Sequence, residues 1–286
     1  YVLEHLLLPM ASSIPPMPAG KSKRSILLVD NRINSQWLFT VLNSWLMAPK
    51  DSTINIICDS NSEQSAHDLL HQYAANLPAI IKTVEEISPG TDLCLPSSFN
   101  AMMKLASFWE QISSEEILVI QTDALLAKPL HPFFFSFSYL GAPFLPRQHS
   151  EYFTLRNIHG HISRFFKTDS PIHGSPDRDV YPHLHGNGGL SIRSKKAMQA
   201  ICERWGQSSP DKEAEDVFFS RHINQVSTPA PLDIAQAFAM ETTYNPNAIG
   251  SHACWKFLEG PDLAHHFEQH LRETWAMTTA LKYQVN

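Results

Sequence analysis

Apolar residues in this chain fall into short unbroken runs separated by longer amphipathic stretches. Ile26-Leu27-Leu28-Val29, Ile54-Asn55-Ile56-Ile57-Cys58 and Ile117-Leu118-Val119-Ile120 are the runs. Four or five nearly continuous apolar, mostly β-branched positions describe strands covered on both faces. Between them apolar positions recur at helical spacing: Trp37, Leu38, Val41, Leu42, Trp45 and Leu46 between Ser35 and Pro49, and Met102, Leu105, Trp109 and Ile112 after Ser97 or Ser98. The capping-box pattern Ser60-Asn61-Ser62-Glu63 opens a further helix that reaches Tyr73. Strand, helix, strand, helix is the rhythm of a parallel sheet with right-handed crossovers. A strand from Leu190 is then capped by Ser194 into a helix that runs to Trp205, and a last amphipathic helix spans 262–275, with a tail from Tyr283.

The fold expected is therefore α/β, with a mostly parallel central sheet flanked by helices, in one domain over residues 25–286. Residues 1–24 are set apart as a linker or N-terminal extension. Over 9–24 they hold four prolines, a glycine and then Lys21, Lys23 and Arg24, a composition that does not pack a core.

Composition narrows the class. A chain of 286 residues with 43% hydrophobic and 17% charged residues can bury a full core, and a formal charge of −6 argues against a nucleic-acid partner. The longest apolar tract, 132–143, is too short and too rich in Pro and Gly to cross a bilayer, so no membrane span is expected. Cys58, Cys94, Cys202 and Cys254 form no CxxC pair, which suits free thiols and a cytoplasmic setting. The apolar start, Tyr1 to Pro9, carries no basic leader and does not read as a signal peptide.

Candidate chemistry gathers where the periodic pattern stops. The 117–120 run ends in Gln121-Thr122-Asp123, which is either an ordinary strand-end turn or a carboxylate delivered to a cleft; Asp30-Asn31-Arg32 ends the first strand with the same two readings. Over 144–185 periodicity fades into His, Arg, Asp, Pro and Gly, the composition of a substrate-facing loop. Within it His159-Gly160-His161 and His183-Leu184-His185 have ligand spacing but lack a third ligand. Gly186-Asn187-Gly188-Gly189 precedes a strand, so it is no dinucleotide fingerprint, and it implies close backbone packing. Glu215-Asp216 opens a helix, where acids either complement the helix dipole or act as a base.

A strand-end acid, a glycine loop before a strand, a Glu-Asp pair opening a helix and a late histidine stand here in fixed order. That order resembles the GT-A class of nucleotide-sugar glycosyltransferases, with their acidic DxD-type motif, glycine loop, xED motif and C-terminal histidine. The resemblance is nearest to a group of uncharacterised glycosyltransferase-like domains with FW, QTD, YxGAP, GNGGLS-R, EDxF and HxxW motifs. These follow a first strand ending near an Arg, Val29 to Arg32, and are Phe108-Trp109, Gln121 to Asp123, Tyr139 to Pro143, Gly186 to Arg193, Glu215 to Phe218, and His252 with Trp255, so the likeness covers residues 25–255.

The resemblance implies a GT-A-like domain with a Rossmann-like nucleotide half and an acceptor half. It implies transfer of a sugar from a nucleotide-sugar donor to a hydroxyl of a glycan or polymer precursor, inverting and cation-assisted. Asp123 and His252 would hold Mn²⁺ or Mg²⁺, and Asp216 would be the catalytic base with Glu215 orienting the acceptor. Asp30, Arg32, Gln121, Thr122, Asp123, Gly188, Gly189 and Arg193 would contact the donor. The chain departs from the pattern at Gln121, where the first acid of the DxD triplet is an amide. A cation would then have one anionic ligand fewer, or Arg32, Arg193 or Lys195 would neutralise the diphosphate instead. Two other classes compete: a non-catalytic carbohydrate- or nucleotide-binding module on the same fold, and a nucleotidyltransferase, which wants a second strand-end carboxylate beside Asp123.

Overall fold

The computed structural model describes residues 1–12, 14, 22–143, 185–210, 213–258 and 260–285. The expected loop 144–185, with His159, His161 and His183, lies outside them apart from His185. Six strands form the main sheet in the order β3-β2-β1-β4-β7-β6: β1 (Arg24–Val29), β2 (Ser52–Cys58), β3 (Ala79–Thr83), β4 (Glu116–Ile120), β6 (Tyr139–Gly141) and β7 (Leu190–Ser194). The first four are mutually parallel, with Ile26 abreast of Ile54 on one side and of Leu118 on the other, and β7 runs antiparallel between β4 and β6. The mixed α/β architecture with a mostly parallel sheet is the one expected.

The continuous apolar runs have a simple cause. Successive strand residues face opposite sides, and both sides are covered. Leu118 and Ile120 join one cluster with Ile26, Ile54 and the Trp37, Val41 and Trp45 side of helix α2 (Ser35–Met47). Ile117 and Val119 join the other, with Trp109, Met198, Phe218 and Phe219. Those residues come from α6 (Ala106–Glu110), α7 (Lys195–Trp205) and α8 (Glu215–His222). Each such side chain fully buried contributes about 1.5–3 kcal/mol.

Several elements depart from expectation. The helix expected through 97–112 is two, α5 (Pro96–Met103) and α6, with Leu105 half-exposed at the break. Buried Lys104 sits at the junction, where its ammonium donates to Ser209 Oγ and to the Pro210 and Glu213 carbonyls. Helix α2 is capped by Asn34 and α3 (Ser60–Ala74) by Asp59, each one residue before the position the pattern favoured. The segment set apart as linker starts as helix, π-helical over Val2–Leu7 and α-helical over α1 (Leu8–Ala11). Leu7, Met10 and Ala11 share one helical face, and with Ile14 they are buried in the first cluster despite the prolines around them. The last helix runs over Gly260–Val285, beyond the expected end at 275 and through Tyr283.

A second sheet of three short strands has the order β5-β9-β8, from β5 (Ala124–Leu126), β8 (Ala239–Met240) and β9 (Gly250–His252). It is small, but it determines the site. Ala124 is antiparallel to and abreast of His252, and Met240 runs parallel beside Ser251.

Candidate functional site

In β1, β2 and β3 the chain winds outward on one side, whereas β4 lies on the other side of β1. The strand order therefore reverses between β1 and β4, and in open α/β sheets ligands bind beyond the strand C-termini at such a point. Asp30 follows the end of β1 and Gln121-Thr122-Asp123 follows the end of β4. Thr122 Oγ1 donates to Asp30 Oδ2 at 2.8 Å, and Arg32 grips both oxygens of Asp30 from Nε (2.9 Å) and Nη2 (2.6 Å) while also donating to Thr122 Oγ1. The two strand tips are thus tied together, with Asp30 buried and Arg32 largely exposed above it.

Beside this tie, Asp123 Oδ1 stands 3.1 Å from His252 Nε2, and Glu241 Oε1 stands 3.3 Å from His252 Nδ1 on the other edge of the ring. The small sheet brings these three together. The Ala124–His252 register and the Ala253 amide donating to the Asp123 carbonyl (2.8 Å) hold Asp123 and His252 on neighbouring strands, and Glu241 follows the end of β8. Ala253 turns the chain out of β9 at φ +46°, a left-handed conformation rare for alanine.

Lys256 donates to the second oxygen of Asp123 at 3.3 Å. Burial alone raises the Asp123 carboxyl, but His252 and Lys256 outweigh it and hold it well below the usual carboxylate range. For His252 burial works against the charge, yet the hydrogen bonds to Asp123 and Glu241 prevail and push its imidazole up to about 9.

Gly188-Gly189 is threaded between this cluster and the acids of α8. A Cβ on Gly189 would overlap the His252 ring, and one on Gly188 would overlap Glu215 and crowd Arg193, so the glycines are required for close approach. The Gly188 amide donates to Asp216 Oδ2 (3.2 Å), the Val217 amide to Asp216 Oδ1 (2.8 Å), and the Gln121 amide to the Gly189 carbonyl (2.8 Å). Asp216 is partly buried. Burial, followed by the charge of Glu215, pushes its carboxyl up to about 7 against those amide bonds.

Arg193 and Glu215 form a different kind of pair. Arg193 Nη1 and Nη2 donate to the two Glu215 oxygens at 2.5 and 2.9 Å, and the guanidinium lies over the rings of Trp109, Tyr139 and Phe219 at 5.2–5.6 Å. Arg193 is fully buried and Glu215 nearly so. A guanidinium closed in this way cannot reach a donor, and a carboxylate buried this deeply against it is poorly placed to hold an acceptor. Lys195 is also displaced from the expected role: β7 is antiparallel, with Ser194 abreast of Glu116 at the start of β4, so Lys195 lies at the opposite end of the sheet and donates to the Ile112 carbonyl.

The structure thus brings together Asp30, Arg32 and Thr122 in one group, Asp123 and His252 in a second, and Gly188 and Asp216 in a third, the last two meeting at the glycine pair. Glu241 and Lys256 join the site at the second group, and no sequence motif marks them. A cavity of about 290 Å³ opens beside Asp123, walled by Gln36, Phe39, Trp255 and Phe267.

A cation fits Asp123 and His252 by spacing. Adjacent ligand atoms on an octahedral ion with bonds of about 2.1 Å stand roughly 3.0 Å apart, and these two stand 3.1 Å apart. No group of three or more His, Cys, Asp or Glu side chains among the described residues is arranged to hold an ion.

The fold is similar to that of solved glycosyltransferases. The glycosyltransferase GlyE of Streptococcus pneumoniae TIGR4 matches with a TM-score of 0.51 at 9% identity, over 92% of this chain and 64% of that one. This chain thus spans less than two thirds of GlyE's length. The galactosyltransferase LgtC, solved with donor and acceptor sugar analogues, matches at 0.48 with 13% identity, over 88% and 95% of the two chains. The mannosyltransferase PcManGT from Pyrobaculum calidifontis, solved with GDP-Man and Mn²⁺, matches at 0.44 with 10% identity, over 94% and 76%. At such identities the likeness is one of fold. A family model described as a protein of unknown function, DUF5672, matches residues 84–252. That is more than half of the chain, and the protein belongs to this family. No curated protein matches the sequence. Among the described residues no helix is long and apolar enough to cross a membrane.

Proposed function

We propose that the protein transfers a sugar from a nucleotide-sugar donor to a hydroxyl of a glycan or polymer precursor, with inversion at the anomeric carbon. The observation that carries this reading is the convergence of Asp123, His252 and Asp216 around Gly188-Gly189, at the reversal point of the sheet. Arg32, oriented by Asp30 and Thr122, binds the nucleotide end of the donor. Asp123 and His252 would hold Mn²⁺ or Mg²⁺, an ion that neutralises charge on the departing diphosphate when bound. The close glycine backbone borders the sugar.

Asp216 takes the proton of the acceptor hydroxyl. The acceptor oxygen then bonds to the anomeric carbon from the face opposite the diphosphate, the bond from that carbon to the phosphate oxygen breaks, and the products are a glycoside and a nucleoside diphosphate. A carboxylate with a pKa near the working pH is suited to this step. Glu215 acts at one remove, holding Arg193 beneath the Gly188 turn rather than touching the acceptor.

The test is release of nucleoside diphosphate from a panel of nucleotide sugars, with and without Mn²⁺. Slow donor hydrolysis that Mn²⁺ stimulates and Asp123→Ala removes is the expected result. Donor binding with no turnover across many acceptors would overturn it in favour of a non-catalytic binding module.

A further inference from the structure

We infer that Glu241 is the positioning residue of His252, fixing its ring so that Nε2 points at the same space as Asp123 Oδ1. The inference rests on the reading of Asp123 and His252 as cation ligands and adds a residue that no motif of the sequence marked. Glu241 Oε1 faces His252 Nδ1 at 3.3 Å, so the nitrogen left for Asp123, or for an ion between them, is Nε2. The same Glu241 oxygen accepts from Asn187 Nδ2 at 3.3 Å, while Asn187 Oδ1 accepts from the Gly189 amide at 2.7 Å.

Glu241 thereby ties the ring to the glycine turn that packs against it. It follows directly on β8, beside β9, with its side chain mostly buried. A ligating imidazole is commonly held through its other nitrogen by a carboxylate, which fixes tautomer and orientation, and loss of such a partner costs about 10–100-fold in metal affinity.

The experiment compares wild type, Glu241→Ala and Glu241→Gln. Mn²⁺ affinity is measured by electron paramagnetic resonance with a nucleoside diphosphate present, and the hydrogen-bonded Nδ1 proton of His252 by NMR without metal. Thermal unfolding verifies that each variant is folded. Glu241→Ala should bind Mn²⁺ about 10–100-fold more weakly and lose the Nδ1 proton signal to solvent exchange. Glu241→Gln, whose amide oxygen accepts the same bond, should keep both near wild type. An unchanged affinity and an unchanged proton signal in Glu241→Ala would overturn the inference. If wild type itself binds no Mn²⁺, the cation reading of Asp123 and His252 fails, and the proton signal alone then decides the role of Glu241.

Discussion

Two charged clusters flank the same glycine pair, and they are built from similar parts with opposite results. On one side Glu215 meets Arg193 with both carboxylate oxygens engaged and three aromatic rings around the guanidinium. On the other, Asp123 meets His252 and Lys256 with about 30% of its side chain exposed. The closed pair has no room for a third party and serves the fold; the open one keeps a face toward the cleft at the reversal point of the sheet. Neighbouring acids of one helix divide the same way, since Glu215 is locked while Asp216 is held only by two backbone amides. Burial, more than residue type or the number of partners, distinguishes the closed pair from the open one.

That contrast can be broken at several points. The largest effect is expected at Asp216, where Asp216→Asn should lower transfer by about 10²–10⁴-fold and leave donor affinity near wild type, read by steady-state kinetics against nucleotide-sugar titration. Unchanged transfer would remove Asp216 from its role. In the closed cluster, Arg193→Ala leaves Glu215 buried without its partner and should cost about 3–5 kcal/mol of stability, read as a shift in the urea midpoint. Asp123→Ala should cost clearly less, because about 30% of the Asp123 side chain is exposed, while abolishing donor hydrolysis; equal destabilisation by the two would erase the distinction between them.

The pH dependence sharpens the same division. With the Asp216 carboxyl pushed up to about 7, transfer should fall about tenfold per unit below pH 7 as the base is protonated. A native pKa raised above the unfolded value of about 3.9 leaves stability intact below pH 4 and removes it as pH rises through 7. The stability difference between Asp216→Asn and wild type should therefore move in the variant's favour from pH 4 to pH 8. A flat difference would place the Asp216 carboxyl near its ordinary value. The smallest effect belongs to Lys256→Ala, whose exposed ion pair should contribute no more than about 1 kcal/mol by the same urea assay.

Strands β1, β2 and β4 are legible because a strand covered on both faces leaves an almost unbroken apolar run, interrupted in β2 only by Asn55, whose amide donates to Ser25 Oγ. Strands β3, β5, β8 and β9 are not, being two to five residues long and at edges or in the small sheet, where the register comes from distant partners. The site followed the same rule. Asp123, Asp216 and His252 stood out through the order of their motifs, yet nothing local marked Glu241, which reaches His252 only because β8 pairs with β9. Arg193 and Lys195 misled for a related reason. A cation near a glycine loop looks available until a carboxylate 22 residues later closes on it, and strand direction, invisible in the sequence, sends Lys195 to the far end of the sheet.

The most direct measurement is a crystal structure of the protein soaked with Mn²⁺ and a nucleoside diphosphate. One ion about 2.0–2.2 Å from both Asp123 and His252 Nε2 is expected, with its remaining positions on the diphosphate and water, Arg32 on the nucleotide, and Arg193 still closed on Glu215. A diphosphate bound elsewhere, with the Asp123–His252 contact untouched, would contradict it.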